Sequence, residues 1–214
     1  HMTRVPMFGP YLVKGAIAPN PSLSTDPAYK HWDIATSTNM GLTAEKLFSQ
    51  SGLSKEDMDR WGARAHQLAS KAYQEGFFKD EILPIKAEQA DGKTLVVDRD
   101  QAVRDDATLE GMKDLKPSFK PDGVITPGNS SPLNAAASSM ILMSKETAKK
   151  KTIQPMATIR SIGFAGVDPS IMGVGPVPAS RMALEKTGLQ AKDIDYWEIN
   201  EAFAIVVLNC IKEL

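Results

Sequence analysis

The sequence predicts a layered α/β fold, because strand-like and helical segments alternate along its second half. Residues 155–167 have the composition of a long strand, residues 178–187 that of a helix, and residues 195–199 that of another strand. Proline stands at the start of the predicted helix and Gly188 follows its end, an arrangement common in helices. Alternating strands and helices are typical of α/β domains built in layers.

The first half combines one long helix with short strands. Ser54 provides an N-cap hydroxyl followed three residues later by an acid, and apolar residues then recur at helical spacing until Gly76. Strand-like runs follow at 81–85 and 94–98, separated by an Asp-Gly turn signal, and residues 108–115 predict a short helix. This mixture predicts a small α/β lobe.

The remaining segments complete the predicted pattern. Residues 123–126 and 140–143 have the composition of strands, and residues 133–139 predict a helix of small residues. Residues 7–38 are rich in Pro, Gly, Ser, Thr and Asn without a sustained period, which predicts a long surface connection. The lysines at 149–151 indicate a solvated helix end, where positive charge suits the helix dipole.

Composition excludes several classes of function. The 214 residues are 42% hydrophobic and 24% charged, which is typical of a globular protein, and no apolar run approaches the roughly 20 residues that cross a bilayer. A formal net charge of -1 provides no overall attraction to nucleic acid. Cys210 is the only cysteine, so neither an intramolecular disulfide nor a metal site of several thiolates is expected.

Short motifs stand along the chain in the order and approximate spacing of those in the thiolases. They occupy residues 39–45, 115–119, 126–131, 172–180 and 197–204, the last including Asn200-Glu201-Ala202-Phe203. The resemblance is closest to the degradative 3-ketoacyl-CoA thiolases. It implies a partial layered αβαβα thiolase fold with an inserted α/β loop domain. Residues 1–120 would form that loop domain, residues 121–151 the end of the N-terminal half, and residues 152–214 the start of the C-terminal half.

The resemblance also implies an activity. A 3-ketoacyl-CoA thiolase transfers an acyl group to coenzyme A, cleaving 3-ketoacyl-CoA to acetyl-CoA and a shortened acyl-CoA in fatty acid β-oxidation. Coenzyme A is then a substrate, and no tightly bound cofactor or metal is expected. The family's nucleophilic Cys and Gly-His-Pro motifs have no counterpart here. The chain is therefore expected to be an internal fragment that is inactive alone.

Two alternatives stay open. One is a biosynthetic acetoacetyl-CoA thiolase, which is less favoured because no His precedes Met40. The other is a non-catalytic module that binds acyl-CoA or another protein. The resemblance further implies a homodimer or homotetramer of the full-length protein, with the multifunctional β-oxidation subunit as a candidate partner. It also implies a cytoplasmic location, or a mitochondrial or peroxisomal one in a eukaryote.

Asn200 resembles the thiolase Asn that orders a water in an oxyanion hole. A side-chain amide suits this role because it stays neutral and can both donate and accept hydrogen bonds. The compatible structural interpretation is an N-cap for a helix at residues 201–214. Glu201 is expected in the first turn of that helix, where an acid suits the dipole. Phe203 would either face the substrate pocket, as the resemblance implies, or fill the core.

Four further residues resemble positions that bind coenzyme A in thiolases. Ser131 resembles the Ser that hydrogen-bonds the pantetheine arm, although Asn134 and its neighbours depart from the usual Asp-Gly pattern there. Met40 and Met172 resemble methionines lining the acyl and pantetheine pocket, a task for flexible and polarizable side chains. Lys116 occupies the position of an Arg near the nucleotide end, where it keeps the charge but loses planar stacking.

The remaining nucleophile and imidazoles indicate structural roles. Cys210 lies on a nearly all-apolar helix, where burial would raise its pKa and leave the thiol inert. His31 and His66 have no metal-ligand spacing, and both are expected to be structural or exposed.

Overall fold

The computed structural model describes residues 12–13, 16–17, 27–31, 33–134 and 136–214. Its α-helices are α1 Ile34–Ser37, α2 Met40–Ser51, α3 Lys55–Gln74, α4 Leu109–Lys113, α5 Lys145–Lys150, α6 Pro176–Glu185 and α7 Ala204–Glu213. Its antiparallel strand pairs are β1 Leu12–Val13 with β2 Ala16–Ile17, and β3 Ile85–Glu88 with β4 Thr94–Val97. Short 3-10 helices span Pro27–Tyr29, Pro169–Val174 and Ala191–Asp193. Within these ranges, no helix has the length and apolarity to cross a membrane.

The long helix α3 begins and ends where the sequence predicts. The Ser54 hydroxyl accepts a hydrogen bond from the backbone N–H of Asp57 at 3.1 Å, and the Asp57 carboxylate accepts one from the Ser54 N–H at 3.1 Å. This capping box satisfies two backbone donors that a helix start would otherwise leave unpaired. Gly76, with φ of 73°, follows the helix in the left-handed conformation that ends many helices.

The core lies where α2, α3 and α7 enclose the extended segment 124–126. Its buried apolar residues are Ala44, Leu47, Met58, Ile125, Ala204, Ile205 and Val206. Glu45 is also buried, and its carboxylate accepts hydrogen bonds from the backbone N–H groups of Val124 and Ile125, each at 2.9 Å. These charge-assisted bonds compensate the cost of burying a carboxylate and attach α2 to the segment beside it.

The predicted strands at 123–126, 140–143, 155–167 and 195–199 are wrong, since none of them belongs to a β-ladder within the described residues. Part of the strand signal is real, because residues 161–167 alternate between half-buried and exposed positions. One face of this segment contacts α6, where the Ser161 hydroxyl donates to the Ala183 carbonyl oxygen at 2.8 Å. A ladder also requires a neighbouring backbone, and no described segment provides one.

Other element predictions differ at their ends. The predicted strand 81–85 is wrong: β3 starts only at Ile85, because Pro84 has no N–H to give to a ladder. The predicted helix 133–139 is also wrong over its described residues. Leu133 is fully exposed there, so no packing stabilises a short helix that is marginal alone.

Several other helices and strands are confirmed, apart from small differences in where they begin or end. Helix α4 lies within the predicted 108–115, α5 places the lysines of 149–151 at its C-terminal end, and β4 lies within 94–98. Helix α6 starts two residues before the predicted 178–187, at Pro176, and Gly188 follows it with φ of 69°. About half of the predicted surface connection, residues 7–38, lies outside the described residues. Its described part contains β1, β2, a 3-10 helix and α1.

Candidate functional site

Two motifs that are far apart in sequence lie side by side as a short strand-like pair. Ser130 and Phe203 form an antiparallel bridge, in which the Ser131 N–H donates to the Ala202 carbonyl oxygen at 3.0 Å. The Ala204 N–H donates to the Asn129 carbonyl oxygen at 2.9 Å. This pairing brings Ser131 close to the segment that carries Asn200.

The same pairing corrects the predicted start of the last helix. Because residues 202–204 are hydrogen-bonded to the neighbouring segment and Phe203 is extended, α7 begins at Ala204 and Phe203 occupies the N-cap position. The interpretation of Asn200 as the N-cap is therefore wrong, as is the placement of Glu201 in the first helical turn. Both residues are exposed in the extended segment before the helix.

Aromatic contacts join a third and a fourth motif to this pair. The rings of Phe119 and Phe203 have centroids 6.1 Å apart and planes at 74°, an edge-to-face arrangement that aromatic pairs favour. Gly41, the second residue of α2, lies so close to Phe119 that a Cβ at this position would overlap the ring. Met40, the residue before Gly41, has 43% of its surface exposed.

The Gly-rich segment around Met172 completes the cluster. Gly173 lies between α2 and α7, since a Cβ on it would be 2.9 Å from Leu47 Cδ2 and 3.0 Å from Val206 Cγ2. Nearby, the Lys46 ammonium donates to the Ser170 hydroxyl at 2.5 Å. Met172 itself is 47% exposed. All five motifs thus lie in one contiguous region of the fold.

A cavity of about 560 Å³ opens between α3, α4 and the segment that carries Ser131. Its lining residues are His66, Ala102, Arg104, Asp106, Ala107, Thr108, Gly111, Met112, Leu115, Ser118, Pro127, Gly128, Ser130, Ser131 and Pro132. The volume lies within the range of sites that hold organic cofactors. Of the six candidate site residues, all of which the structure describes, Ser131 alone lines this cavity. Lys116 is exposed outside it, between the lining residues Leu115 and Ser118.

The polar wall of the cavity contains residues that the sequence does not single out. The backbone N–H of Arg104 donates to His66 Nδ1 at 3.3 Å across 38 residues of sequence. Burial and the Arg104 charge lower the pKa of His66 below its ordinary 6.5, and the carboxylates of Asp100 and Asp106 partly oppose this. A half-buried imidazole and a guanidinium can therefore contact an anionic or polar ligand here. No local sequence pattern links these residues, because only the loop after β4 brings them together.

The Cys210 side chain is buried on the apolar helix α7, as predicted. It is 1% exposed, and burial raises the pKa of its thiol above the ordinary 9.0. His31 is exposed. Within the described ranges, no group of three His, Cys, Asp or Glu side chains is placed to hold a metal ion.

Comparisons with known proteins agree with this arrangement. Residues 1–146 match the family described as thiolase, N-terminal domain, and residues 153–214 match thiolase, C-terminal domain. The chain is 47% identical over 199 residues to the 3-ketoacyl-CoA thiolase of Stutzerimonas stutzeri, covering 92% of this chain and 49% of that protein. It is 45% identical over 190 residues to the 3-ketoacyl-CoA thiolase of Marinobacter nauticus, covering 88% and 49%.

Solved structures show the same fold. The acetyl-CoA acetyltransferase of Bacillus anthracis is similar with a TM-score of 0.77 and 45% identity, over 81% of this chain and 44% of that one. Human mitochondrial 3-ketoacyl-CoA thiolase is similar with a TM-score of 0.73 and 35% identity, over 85% and 45%. The chain spans about half the length of the curated relatives it matches. The predicted thiolase-like α/β fold is confirmed, and this chain belongs to the thiolase family.

Proposed function

We propose that this chain provides the coenzyme A-binding surface and one oxyanion-hole residue of a 3-ketoacyl-CoA thiolase. The observation that carries the proposal is the cavity beside the Ser130–Phe203 bridge. Ser131 lines it, while Asn200 lies on the paired segment. A thioester whose pantetheine arm entered the cavity beside Ser131 would be near the segment that carries Asn200. The names of the relatives from Stutzerimonas and Marinobacter support the same reaction class.

The chemical roles follow from the side chains. Thiolysis of a 3-ketoacyl-CoA requires a thiolate to attack the keto carbon and donors that stabilise the negative oxygens that develop. In the proposal, Asn200 orders a water that donates to the thioester oxygen, and Ser131 hydrogen-bonds the pantetheine arm. Met40, Met172 and Phe203 supply adaptable apolar surface for the acyl chain. In the same proposal, Arg104, His66 and the more distant Lys116 contact the polar end of coenzyme A.

The domain assignment belongs to the same proposal. Residues 1–120 would be the loop domain, residues 121–151 the end of the N-terminal half, and residues 152–214 the start of the C-terminal half. On this assignment the cavity lies between the loop domain and the N-terminal half. The Ser130–Phe203 bridge then joins the two halves of the fold.

We do not expect this chain to supply the thiolate nucleophile of thiolysis. Cys210 is buried and its pKa is raised, which disfavours the thiolate that attacks a carbonyl. We therefore propose that the 214-residue chain binds coenzyme A but does not cleave acetoacetyl-CoA alone. Measurable thiolysis of acetoacetyl-CoA by the purified chain that is lost in Cys210→Ser would overturn the expected inactivity. The same buried thiol favours a second candidate function, a non-catalytic acyl-CoA-binding module. The similarity to an acetyl-CoA acetyltransferase keeps the biosynthetic reaction as another candidate.

Calorimetric titration of the chain with coenzyme A tests the binding site. Ser131→Ala should weaken binding by about fivefold, the value of one ordinary hydrogen bond. The matched control is Ser139→Ala on an exposed segment, which should leave the dissociation constant unchanged. Absence of heat at millimolar coenzyme A, or equal losses in the two variants, would contradict the proposed site.

A further inference from the structure

The loop after β4, residues 99–107, forms one wall of the cavity around Ser131. Its lining residues are Ala102, Arg104, Asp106 and Ala107. The structure describes every residue of this loop, which belongs to no helix or strand and has no buried side chain. A segment with few buried apolar contacts gains little stability from packing. The position of this wall therefore depends on other interactions.

Two neighbouring side chains of α3 hold the end of the loop that lies nearer to α4. The Arg104 backbone N–H donates to His66 Nδ1 at 3.3 Å, and the Gln67 side-chain amide donates to the Ala107 carbonyl oxygen at 3.0 Å. His66 Nδ1 accepts in this arrangement, so a neutral imidazole carries its proton on Nε2. The Nε2–H is then left for a ligand in the cavity.

Two more side chains of α3 hold the rest of the loop. The Ser70 hydroxyl donates to the Asp105 carboxylate at 2.6 Å, and the Tyr73 hydroxyl oxygen accepts from the Asp100 N–H at 2.8 Å. Positions 66, 70 and 73 are spaced by four and three residues, so they share one face of the helix. Ser70 is 5% exposed, and neither Ser70 nor Tyr73 lines the cavity. These two residues can therefore affect a bound ligand only through the loop.

Among these four anchors, His66 changes its hydrogen-bonding capacity near neutral pH. An imidazolium has an N–H on both ring nitrogens and cannot accept a hydrogen bond. Protonation of His66 would place the new Nδ1–H against the Arg104 N–H, so two donors would face each other. The anchor at Arg104 is then lost, whereas those at Ser70 and Tyr73 stay intact.

The charges that face His66 come from the loop itself. The Arg104 guanidinium and burial lower the pKa of His66, and the carboxylates of Asp100 and Asp106 act in the opposite direction. The described lining residues from α4 and from segment 127–132 carry no charge. On α3, the neighbouring positions 62, 63, 69 and 70 are also uncharged. His66 is therefore neutral at pH 7.5, and its protonation falls on the acid side of pH 6.5.

We propose that one face of α3 positions the 99–107 loop as a wall of the coenzyme A cavity, with Ser70 and Tyr73 as constant anchors and neutral His66 as a pH-sensitive one. The inference rests on the proposed coenzyme A site and adds positioning residues to it. A pantetheine arm beside Ser131 also contacts this wall. Its apparent affinity therefore scales with the fraction of molecules in which the loop is docked.

Pantetheine is the probe, titrated by calorimetry at pH 7.5 and at pH 5. It lacks the phosphates of coenzyme A, whose attraction to an imidazolium would act in the opposite direction. The dissociation constant should be about fivefold higher at pH 5, because one hydrogen bond that holds the wall is lost. His66→Asn should differ by less than about twofold between the two pH values, since its amide oxygen accepts in either condition. His66→Phe should bind at pH 7.5 as weakly as the parent does at pH 5.

The constant anchors are tested at pH 7.5. Ser70→Ala and Tyr73→Phe should each raise the dissociation constant of pantetheine about threefold, through the loss of one hydrogen bond to the loop. Tyr73→Phe keeps the ring over which the Arg99 guanidinium lies, 4.9 Å from the centroid. Tyr196→Phe is the matched control, and it should bind like the parent because Tyr196 is 90% exposed.

A measurement without ligand reports on the docking of the loop directly. In a ¹H–¹⁵N spectrum, the Arg104 amide signal should move as His66 is protonated in the parent chain and stay in place in His66→Asn. The inference is overturned if pantetheine binding has the same pH dependence in these two proteins, or if Ser70→Ala and Tyr73→Phe bind like Tyr196→Phe. Binding that needs Ser131 but ignores the α3 variants would overturn this inference alone. No binding of pantetheine or coenzyme A at either pH would contradict the proposed function as well.

Discussion

Asn129 donates from its side-chain Nδ2 to Asp59 Oδ1 at 3.0 Å, and both side chains are buried. The same amide donates to the Val124 carbonyl oxygen at 3.0 Å, while its Oδ1 accepts from the Thr126 N–H at 2.9 Å. Asp59 also pairs with Lys55 at 2.5 Å. One amide therefore links α3 to the turn that precedes Ser131, and it satisfies a carboxylate that would be costly to bury unpaired.

Replacing this amide should destabilise the fold. Asn129→Ala removes three hydrogen bonds and leaves buried partners unsatisfied, so the free energy of unfolding should fall by about 3 kcal/mol. Asn134→Ala, the same change at an exposed position, should stay within about 0.5 kcal/mol of the parent. Urea unfolding followed by circular dichroism measures both. Equal midpoints for the two variants would show that the Asn129 bonds contribute nothing net.

Helix α3 also approaches the turn through Gly62. A Cβ at Gly62 would overlap the carbonyl oxygen of Gly128, a backbone atom that cannot rotate away. Gly62→Ala should therefore cost about 1–3 kcal/mol of unfolding free energy, as overpacked cores do. Because Gly128 lines the cavity, the substitution should weaken coenzyme A binding as well.

Gly166→Ala provides the control for this substitution. Among the residues that the structure describes, no atom beyond its chain neighbours lies within 4 Å of a Cβ at Gly166, and its backbone is outside the left-handed region. The change should be neutral or slightly stabilising, because Ala restricts the unfolded chain. Thermal unfolding of the two variants side by side gives the comparison. A Gly62→Ala variant as stable as Gly166→Ala would mean that α3 does not pack on the turn.

The elements that are predicted well from sequence are those that depend on interactions among their own residues. Helix α3 follows from one capping box and a helical spacing of apolar residues, both of which lie within its own residues. The segment 155–167 has equally clear strand composition, yet a ladder depends on a second segment that its own residues do not specify. Local sequence therefore predicts an extended conformation there, and pairing depends on long-range contacts.

The candidate site divides in the same way. Ser131 and Asn200 are identified through short motifs, whereas His66 and Arg104 are not, because their proximity depends on the path of the loop after β4. The sequence pattern places the start of α7 too early for a related reason. Residues 200–203 have no local feature that prevents a helix, whereas the pairing of residues 202–204 with residues 129–131 delays the start of α7 to Ala204.

The environment of His66 predicts a specific titration. Its pKa lies below 6.5 through burial and the Arg104 charge, and Asp100 and Asp106 act in the opposite direction. Arg104→Gln should therefore raise the His66 pKa toward 6.5, and Asp106→Asn should lower it further. Two-dimensional NMR of the imidazole, assigned with His66→Gln, measures both shifts. Shifts of the same sign in the two variants would contradict the electrostatic assignment.

The lowered pKa also sets the sign of a stability effect. The folded state favours neutral His66, so this contribution is fully present above pH 6.5 and is lost as the pH falls through the folded-state pKa. His66→Gln should therefore flatten the decline of unfolding free energy on the acid side of pH 6.5. A variant whose decline stays as steep as the parent's would show that His66 does not contribute to it.

Cys210 provides the last test, because all thiol labelling of this chain reports on one residue. The side chain is 1% exposed and its pKa is raised by burial, so reaction with iodoacetamide requires α7 to open. Labelling at pH 8 should be slower in the native chain than in urea by about a hundredfold or more. Cys210→Ser should abolish the label in both conditions. If the native thiol instead reacts as fast as the unfolded one, α7 is not held in the core. That result would also contradict the conclusion that this thiol is too inert to act as a nucleophile.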